Sequence, residues 1–340
     1  MHLKKDKPSD STRSVNRRRF ISSSLGMLAA SSLGTTGLFA RSSRLVTESR
    51  SALGTKVTIK VVHPSLRLAQ NAIDTAFARI ERVEQAMNLY RPQSEISILN
   101  QTGVLSSPSA ELLRVLRTAQ ALSRKSKGAF DVTIQPLWEL YQRHQEVPSP
   151  SEIKAQQPFL GWRNISVQDT EIRLANKHTK ITLNGIAQGY ATDQATRALS
   201  RAGIHHALID CGELRSIGQN AEDLDWTVGI QHPRQSDAFA AVASLDNRSL
   251  ATSGDYESHF TNDFKHHHVF DPRTGHSPKT IASASVLAPN AMQADALSTT
   301  LMVLGLTDGL ALIKPLENVD ALLITKDGRQ ISTAGFPTKA

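Results

Sequence analysis

The stretch QADALSTTLMVLG (residues 293–305) joins one acidic side chain to an otherwise apolar segment. Leu297, Leu301 and their apolar neighbours recur at helical spacing, which predicts a buried helix. The carboxylate of Asp295 near its start has two interpretations. Asp is a common helix N-cap, because its oxygens accept hydrogen bonds from first-turn N–H groups. Alternatively, Asp295 and Thr299 are four residues apart, so they share a helix face and could hold a hard cation with oxygen ligands.

The positive charge of the chain is concentrated at its N-terminus. The protein has 340 residues, 39% of them hydrophobic, and a formal net charge of +8. Residues 1–44 carry nine lysines and arginines against two acidic residues, whereas the remainder carries 30 basic and 29 acidic residues. A nearly neutral body has no general electrostatic reason to bind polyanions, so no nucleic-acid partner is expected, although a local basic pocket is compatible with this balance. Cys211 is the only cysteine, so no internal disulfide is possible.

The N-terminal segment NRRRFISSSLGMLAASSLGTTGLFA (residues 16–40) has the pattern of an export signal. Paired arginines precede Phe20 and a weakly apolar run, which is similar to a twin-arginine signal peptide. We expect residues 1–40 to be this signal and residues 41–340 to work in the periplasm after only transient contact with the membrane. An uncleaved signal would keep the protein at the inner membrane, but the serines and threonines make the run a poor span.

The body mixes strand-like and helix-like segments without a regular βαβ repeat. Strands are predicted at residues 55–62, 180–183, 207–209, 226–230, 241–245, 283–287 and 321–325. Helices are predicted at residues 73–87, 110–125, 187–202 and 295–304. The polar, proline-bearing segment 148–158 is the expected lobe boundary. This mixture predicts an α+β fold.

The segment ITLNGIAQGYATDQATRAL (residues 181–199) predicts a strand, a tight turn at Asn184 and Gly185, and a helix. Gly185 and Gly189 have no side chains, so a phosphate could approach the backbone N–H groups at the helix start. The alternative is ordinary close packing of the helix against a neighbour. The segment has neither a Walker motif nor a dinucleotide-binding fingerprint, so it does not decide between the two.

Two further stretches carry residues suited to chemistry. GAFDVTIQPLWELY (residues 128–141) places Asp131 in an apolar, strand-like run. KHHHVFDPRTGHSP (residues 265–278) has three consecutive histidines, and in a strand His266 and His268 would face one side and His267 the other. They cannot all face one metal, and the usual zinc partners are missing, so zinc is not expected. A single histidine suits the role of a base near pH 7.

Six stretches of the chain together resemble one known family. MNLYRPQSEISILN, GAFDVTIQPLWELY, TLNGIAQGYATD, LATSGDYES, HVFDPRTG and ADALSTTLMVLG occur in this order. Their order and spacing are similar to the ApbE family of FAD:protein FMN transferases, over about residues 51–335. The resemblance implies a single α+β domain of two closely packed lobes, with mixed sheets and flanking helices. It also favours the metal-ligand interpretation of Asp295 over the cap.

The resemblance implies an enzyme that uses FAD and magnesium. Such an enzyme moves the FMN half of FAD onto a threonine hydroxyl of a target protein and releases AMP. The expected partner is an exported flavin-acceptor protein, such as a redox subunit. By motif, the implied magnesium ligands are Asp295, Thr299, the Gly185 carbonyl and Ser298. The residues implied to line the FAD site are Leu53, Tyr90, Ala129, Phe130, Asp131, Thr182, Gln188 and His268.

The resemblance makes His268 the expected base for the acceptor hydroxyl, with Asp255 as the next candidate. Several positions depart from the family pattern. Thr182 stands where Asp or Ser is usual, and Gln188 stands where Lys is usual, which removes a cation from the diphosphate. Cys211 replaces one glycine of a usual Gly-Gly pair, and the replacement of Met by Leu53 is mild. Two other functions fit the same residues: a magnesium-dependent FAD pyrophosphatase, with water replacing threonine, and a non-catalytic periplasmic flavin carrier.

Overall fold

Residues 43–144 and 147–339 are described in the structure, a computed structural model of the chain. The export signal expected at residues 1–40 lies outside the described residues. The α-helices are α1 (Leu66–Met87), α2 (Glu95–Thr102), α3 (Ala110–Lys125), α4 (Gln135–Arg143), α5 (Pro150–Gln156), α6 (Ala187–Arg201) and α7 (Ala291–Ile313). The strands are β1 (Arg44–Ala52), β2 (Thr55–His63), β3 (Val104–Ser106), β4 (Ile165–Val167), β5 (Glu171–Leu174), β6 (Ala207–Asp210), β7 (Leu214–Ile217), β8 (Thr227–His232), β9 (Gln235–Ser244), β10 (Ser249–Gly254), β11 (Ile281–Ala288), β12 (Asp320–Thr325), β13 (Gln330–Ser332) and β14 (Thr338–Lys339).

An eight-stranded sheet forms the centre of the fold, with strand order β1-β2-β6-β7-β10-β11-β12-β13. Two three-stranded sheets, β14-β9-β8 and β3-β5-β4, accompany it. The predicted α+β class is confirmed. The expected mixed sheets are wrong, because every strand pairing in the described chain is antiparallel. Many neighbouring strands follow each other closely along the chain, and short connections allow only antiparallel pairing.

Helices α1 and α7 pack against the central sheet, and α6 packs against both of them and against the same sheet. Alternate residues of β2, namely Val57, Ile59 and Val61, are fully buried beneath α1 and α6. Ile73 and Ile80 of α1 are fully buried in the same cluster. Removing such a side chain from water contributes roughly 1.5–3 kcal/mol. The three helices are therefore held firmly on the sheet, and this fixes where their ends lie.

The stretch that contains Asp131 is helical, so the strand-like interpretation is wrong. A 3-10 turn at Val132–Ile134 leads directly into α4, and Pro136 stands in the first turn of α4. Proline is favoured there because a first-turn N–H has no partner within the helix. Leu137 and Tyr141 are buried four residues apart on one helix face. The apolar residues of this run therefore recur with a helical period, but the run is too short for its period to be recognised from the sequence.

The expected lobe boundary at residues 148–158 is the short helix α5 and a following 3-10 turn. Ser149 and Glu152 form a reciprocal capping box at the start of α5. Ile153 is buried in a cluster with residues of α4. The polar residues of this segment are therefore helix caps, and the segment is packed onto its neighbours rather than forming an extended linker.

Residues 180–183, which were expected to form a strand, belong to no sheet of the described chain. The side chain of Asn100 pairs with both backbone groups of Ile181, since the Ile181 N–H donates to Asn100 Oδ1 and Asn100 Nδ2 donates to the Ile181 carbonyl, each at 2.8 Å. The N–H of Thr182 donates to the carbonyl of Val132 at 2.8 Å. These partners satisfy the backbone without a strand ladder.

The buried helix predicted at residues 295–304 is confirmed, as part of the longer α7. Asn290 is its N-cap and accepts a hydrogen bond from the Gln293 N–H at 2.9 Å. Asp295 lies more than one turn inside the helix, so the interpretation of Asp295 as the cap of its own helix is wrong. The helix bends at Gly305, which has φ of 74°. Although α7 is long and apolar enough to span a membrane, it packs against β10, β11 and α6.

Candidate active site

Helices α6 and α7 each cap the N-terminus of the other with a carboxylate. Asp295 of α7 accepts a hydrogen bond of 2.9 Å from the Gly189 N–H in the first turn of α6. Asp193 of α6 accepts hydrogen bonds of 2.9 and 3.1 Å from the N–H groups of Ala291 and Met292 in the first turn of α7. Each carboxylate caps the other helix, at the positive end of that helix's dipole. The fold therefore fixes the position of Asp295 before any ligand binds.

Two glycines bring the start of α6 against α7. A Cβ at Gly189 would lie 2.3 Å from the Ala291 carbonyl oxygen and 2.8 Å from the Asp295 Cβ, so a larger residue does not fit. A Cβ at Gly185 would lie 2.9 Å from Thr299 Oγ1. The N–H of Gly189 is already used by a carboxylate. At Gly189 the structure therefore supports close helix packing rather than a phosphate cradle.

Hydroxyl groups surround Asp295, whose side chain is buried. The Ser253 Oγ at the end of β10 lies 2.8 Å from Ser298 Oγ and 3.1 Å from Thr299 Oγ1. Ser298 also donates a hydrogen bond of 2.8 Å to the Asp295 carbonyl oxygen. Carboxylate, hydroxyl and carbonyl oxygens are the ligands that hard cations prefer. We call the group formed by Gly185, Ser253, Asp295 and Thr299 the oxygen corner.

The oxygen corner is one wall of an open cleft, whose space counted together with its solvent-filled mouth is about 930 Å³. The site residues expected from the sequence that line this cleft are Ala129, Phe130, Asp131, Thr182, Gly185, Gln188, His268, Asp295 and Thr299. The other lining residues, which were not expected from the sequence, are Val132, Ile134, Trp138, Asn184, Glu213, Thr252, Ser253, Glu257, Val269 and Phe270. The cleft thus brings together segments that are up to 170 positions apart in the chain.

The cleft is acidic. Asp131, Glu213, Glu257 and Asp295 line it, and no lysine or arginine of the described residues does so. Gln188, which stands where the family pattern has lysine, is part of the same wall. A diphosphate in such a site would face carboxylates at short range, which is unfavourable unless a cation is bound with it. The wall therefore suits a phosphate ligand that arrives with a divalent metal ion.

The carboxylate of Asp131 lines the cleft and accepts three hydrogen bonds. It accepts hydrogen bonds from the N–H and hydroxyl of Thr133, at 2.9 and 2.7 Å, and from the N–H of Trp162, at 2.6 Å. Burial raises the pKa of Asp131 above its usual range, and these hydrogen bonds oppose the rise. Both oxygens of Asp131 have protein donors, so this side chain holds residues 130–133 in place. Its expected contact with FAD stays a prediction.

The turn at Cys211 and Gly212 packs against Gln188. A Cβ at Gly212 would lie 2.9 Å from Gln188 Nε2, so the backbone of the turn meets the amide directly. Burial raises the pKa of the Cys211 thiol to about 12. The thiol is therefore protonated at neutral pH and is unsuited to nucleophilic attack.

The imidazole of His268 lines the cleft and is held in one orientation. Its Nδ1 lies 3.0 Å from the carbonyl oxygen of Ser258. Because a carbonyl oxygen can only accept, the neutral ring carries its proton on Nδ1, and Nε2 is the basic nitrogen. The backbone N–H of His268 donates to the same carbonyl at 2.9 Å. Two hydrogen bonds to one acceptor thus fix the ring that was expected to serve as the base.

Two other titratable groups near this segment lie outside the cleft. His267 is fully buried, its N–H and carbonyl are bridged by the Ser277 hydroxyl, and burial lowers the pKa of its imidazole to about 3. Asp255, the alternative base, is also fully buried and forms ion pairs with Arg234 at 2.7 Å and Lys326 at 3.3 Å. His268 therefore lines the cleft and His267 does not, although their imidazole rings lie 6.4 Å apart. Asp255 has the contacts of a structural ion pair rather than of a base.

Three residues expected in the site do not line the cleft. Leu53 has a left-handed backbone with φ of 54°, and its N–H donates to Glu84 Oε1 at 2.8 Å. Tyr90 is 80% exposed, so its ring is mostly in contact with solvent. Ser298 is buried and contacts two members of the oxygen corner, the Ser253 hydroxyl and the Asp295 carbonyl oxygen. The expected contacts of these three residues with FAD or magnesium stay predictions.

The oxygen corner fits a magnesium ion. Within residues 43–144 and 147–339, no cluster of three or more His, Cys, Asp or Glu side chains could hold a metal ion. Magnesium needs no such cluster, since it is usually bound by one or two carboxylates, with water and substrate phosphates as the other ligands. Asp295 supplies one carboxylate, and Thr299 and the backbone of Gly185 lie against each other beside it. The residues present therefore match a metal that binds together with a phosphate substrate.

The comparisons with known proteins agree with this arrangement. The ApbE family matches residues 53–323 of the chain. The FAD:protein FMN transferase of Haemophilus influenzae is 31% identical over 280 residues, which cover 77% of this chain and 79% of that protein. The enzyme of the same name from Escherichia coli K12 is 30% identical over 270 residues, which cover 75% and 77%.

Solved structures show the same fold. The flavin transferase ApbE from Vibrio cholerae aligns with a TM-score of 0.75 and 27% identity, covering 86% of this chain and 98% of that chain. The ApbE protein from Thermotoga maritima aligns with a TM-score of 0.77 and 26% identity, covering 86% and 97%. The chain therefore belongs to the ApbE family.

Proposed function

We propose that this protein is a magnesium-dependent FAD:protein FMN transferase that modifies a threonine of an exported protein. Relatives named for this activity support the reaction class. The observation that carries the proposal is the composition of the cleft, in which the oxygen corner and His268 face a space lined by carboxylates and by no lysine or arginine of the described chain. This composition combines a metal-assisted phosphate site with a base.

Asp295, Thr299 and the backbone of Gly185 would hold the magnesium ion. Ser298 would support them through its hydrogen bond to Ser253. The bound ion would neutralise the diphosphate of FAD and stabilise the charge that develops on its oxygens during transfer. Asp295 is well suited to this task because the N–H of Gly189 already orients its carboxylate.

The proposed reaction is attack of a threonine hydroxyl on the FMN-side phosphorus of FAD. A new phosphoester bond forms as the diphosphate P–O bond breaks, and AMP leaves with the bridging oxygen. His268 Nε2 accepts the proton of the hydroxyl, while the Ser258 carbonyl keeps the Nδ1–H oriented. Trp138 and Phe130 line the cleft and provide apolar surface for the flavin ring.

The proposed place of action is the periplasm. The paired arginines and the weakly apolar run at residues 16–40 support export by the twin-arginine route. The target would then be an exported redox protein with an accessible threonine. The signal would be removed after Ala40, and an uncleaved signal would leave the protein at the inner membrane.

The test is incubation of the protein with FAD, magnesium and a candidate acceptor, followed by intact-mass analysis and AMP measurement. The proposal predicts one FMN added to the acceptor for each AMP released, and no addition to an acceptor whose threonine is replaced by alanine. Release of AMP without any modified acceptor would identify a pyrophosphatase instead. Tight FAD binding without AMP release would identify a flavin carrier.

A further inference from the structure

A second concave site lies between α1 and α6, outside the catalytic cleft. Its lining residues are Thr75, Arg79, Gln194, Arg197, Ala198, Arg201 and Ala202. None of them lines the catalytic cleft. We call this site the arginine groove. It lies along the C-terminal part of α6, whereas the catalytic cleft lies at the N-terminal end of the same helix.

Three arginines border the arginine groove. Arg197 and Arg201 are four residues apart on α6 and so share one helix face, and Arg79 stands on the neighbouring α1. Ala198 and Ala202 have short side chains, which leaves a depression between the arginines. Three guanidinium groups around one hollow present many N–H donors to a single ligand.

The nearby acidic side chains are committed to other partners. On α1, Asp74 pairs with Arg50, while Glu81 and Glu84 pair with Arg91. The acidic residue of α6, Asp193, accepts two hydrogen bonds from the first turn of α7.

None of the three groove arginines forms a short ion pair with these carboxylates, although Arg197 lies near enough to Asp193 to interact with its charge. No ion pair joins them to a carboxylate within residues 43–144 and 147–339. Arginines without carboxylate partners that face one hollow repel each other, and a bound anion relieves that repulsion.

We propose that the arginine groove binds a phosphate group. The guanidinium fork matches phosphate oxygens with paired hydrogen bonds, and a phosphate group has enough oxygens to accept from several guanidinium groups at once. Gln194 supplies a further donor at the edge of the groove, whereas the Thr75 hydroxyl already donates to the Asn71 carbonyl. The phosphate belongs either to a small soluble molecule or to a phospholipid headgroup. This proposal stands independently of the proposed function, because it uses none of the catalytic residues.

The first test measures binding of pyrophosphate by calorimetry in the presence of EDTA, which removes divalent metal and leaves the acidic catalytic cleft unsuited to the anion. We expect saturable binding that weakens as salt is added. Arg197→Gln with Arg201→Gln should weaken it about tenfold or more. Arg67→Gln, an exposed arginine elsewhere on α1, should leave it unchanged. Thermal melting checks that each variant is folded.

The second test identifies the source of the phosphate. Vesicles containing phosphatidylglycerol are compared with phosphatidylcholine vesicles in a sedimentation assay. Binding to the former that requires Arg197 and Arg201 supports the proposal with a lipid headgroup as ligand, and pyrophosphate binding without vesicle binding supports it with a soluble ligand. Absence of both, or binding unaffected by the double substitution, would overturn it.

Discussion

Asp295 has an observed role as a helix cap and a proposed role as a metal ligand, which the sequence presented as alternatives. Its carboxylate caps a helix, but the helix is α6 rather than its own α7, because it accepts the Gly189 N–H. The same side chain lines the cleft beside Thr299. An acceptor of backbone hydrogen bonds can also bind a metal ion, since a carboxylate has several lone pairs. The local sequence could not reveal this combination, because Gly189 is distant in the chain.

At His268, we predict that substitution by alanine lowers the rate of FMN transfer by about 100-fold or more. FAD affinity should change much less, because a base acts mainly in the transition state. Single-turnover rates at saturating FAD, combined with FAD titration, separate the two effects. His259→Ala, an exposed histidine of the preceding loop, is the control and should retain activity. Loss of FAD binding with turnover preserved would show that His268 is a binding contact.

At His267, the low pKa predicts a dependence of stability on pH. The folded pKa of about 3 lies below the ordinary value of 6.5, so the unfolded chain binds the extra proton between these values. Stability is therefore complete above about pH 6.5 and falls as the pH decreases towards 3, by up to about 1.4 kcal/mol per pH unit from this group. His267→Gln should remove this contribution.

The measurement is the free energy of unfolding in urea at pH 7 and pH 5. The variant should be less stable than the wild type at pH 7, and the gap should narrow at pH 5. A gap that is the same at both pH values would show that His267 does not titrate as inferred. Buried carboxylates such as Asp131 also titrate in this range, and comparison of the two proteins cancels their contribution.

The secondary-structure elements were predictable where the periodic pattern of hydrophobic residues continued over several turns. Helix α3 spans the residues predicted for it, 110–125, because its apolar residues recur over four turns and Ser109 caps its start. The stretch 128–141 was misassigned because its helix has only nine residues and follows a 3-10 turn. Pro136 was the available signal for a helix start. Residues 180–183 were misassigned because their backbone partner is the side chain of Asn100, which no local pattern reveals.

The contact between α6 and α7 predicts a specific effect of Gly189→Ala. The added methyl would meet the Ala291 carbonyl, which is backbone and cannot rotate away. We expect a loss of about 1–3 kcal/mol in unfolding free energy, together with weaker magnesium-dependent activity, since Asp295 would move. Urea denaturation and transfer assays measure the two effects.

Gly309→Ala in the C-terminal part of α7 is the matched control. Its methyl would make one close contact, at 2.8 Å with Cδ2 at the far end of the Leu301 side chain, and alanine is favoured over glycine in a helix, so the change should stay within about 1 kcal/mol. Equal stability losses in the two variants would contradict the account of the α6–α7 contact.

At the scale of the whole molecule, the cleft gathers residues from positions 129 to 299 of the chain. The six motifs identified most of its wall because they resemble a family, whereas spacing alone could not show that Asp131, His268 and Asp295 meet. Glu257 lies in the motif LATSGDYES, and Glu213 adjoins the atypical Cys211-Gly212 pair. The direction in which these two side chains point depends on tertiary packing. The acidic character of the cleft is thus a property of the fold.

The N-terminal segment predicts the route by which the whole molecule reaches its compartment. Arg17→Lys combined with Arg18→Lys should keep the protein in the cytoplasm, because the paired arginines are the recognised feature of the signal. Cell fractionation followed by immunoblotting measures the distribution. Arg13→Lys, upstream of the pair, is the control and should be exported. Undiminished periplasmic recovery of the double variant would refute the proposed route.

The central claim is that Asp295 holds the metal ion on which FMN transfer depends. The most direct measurement is the rate of FMN transfer to an acceptor as a function of magnesium concentration, for the wild type and for Asp295→Asn. Asparagine keeps an acceptor for the Gly189 N–H but removes the charge, so the protein should stay folded. We predict that the wild type requires magnesium and that the variant is slower by about 100-fold or more at saturating magnesium. Transfer by the variant at the wild-type rate, with the same magnesium dependence, would contradict the claim.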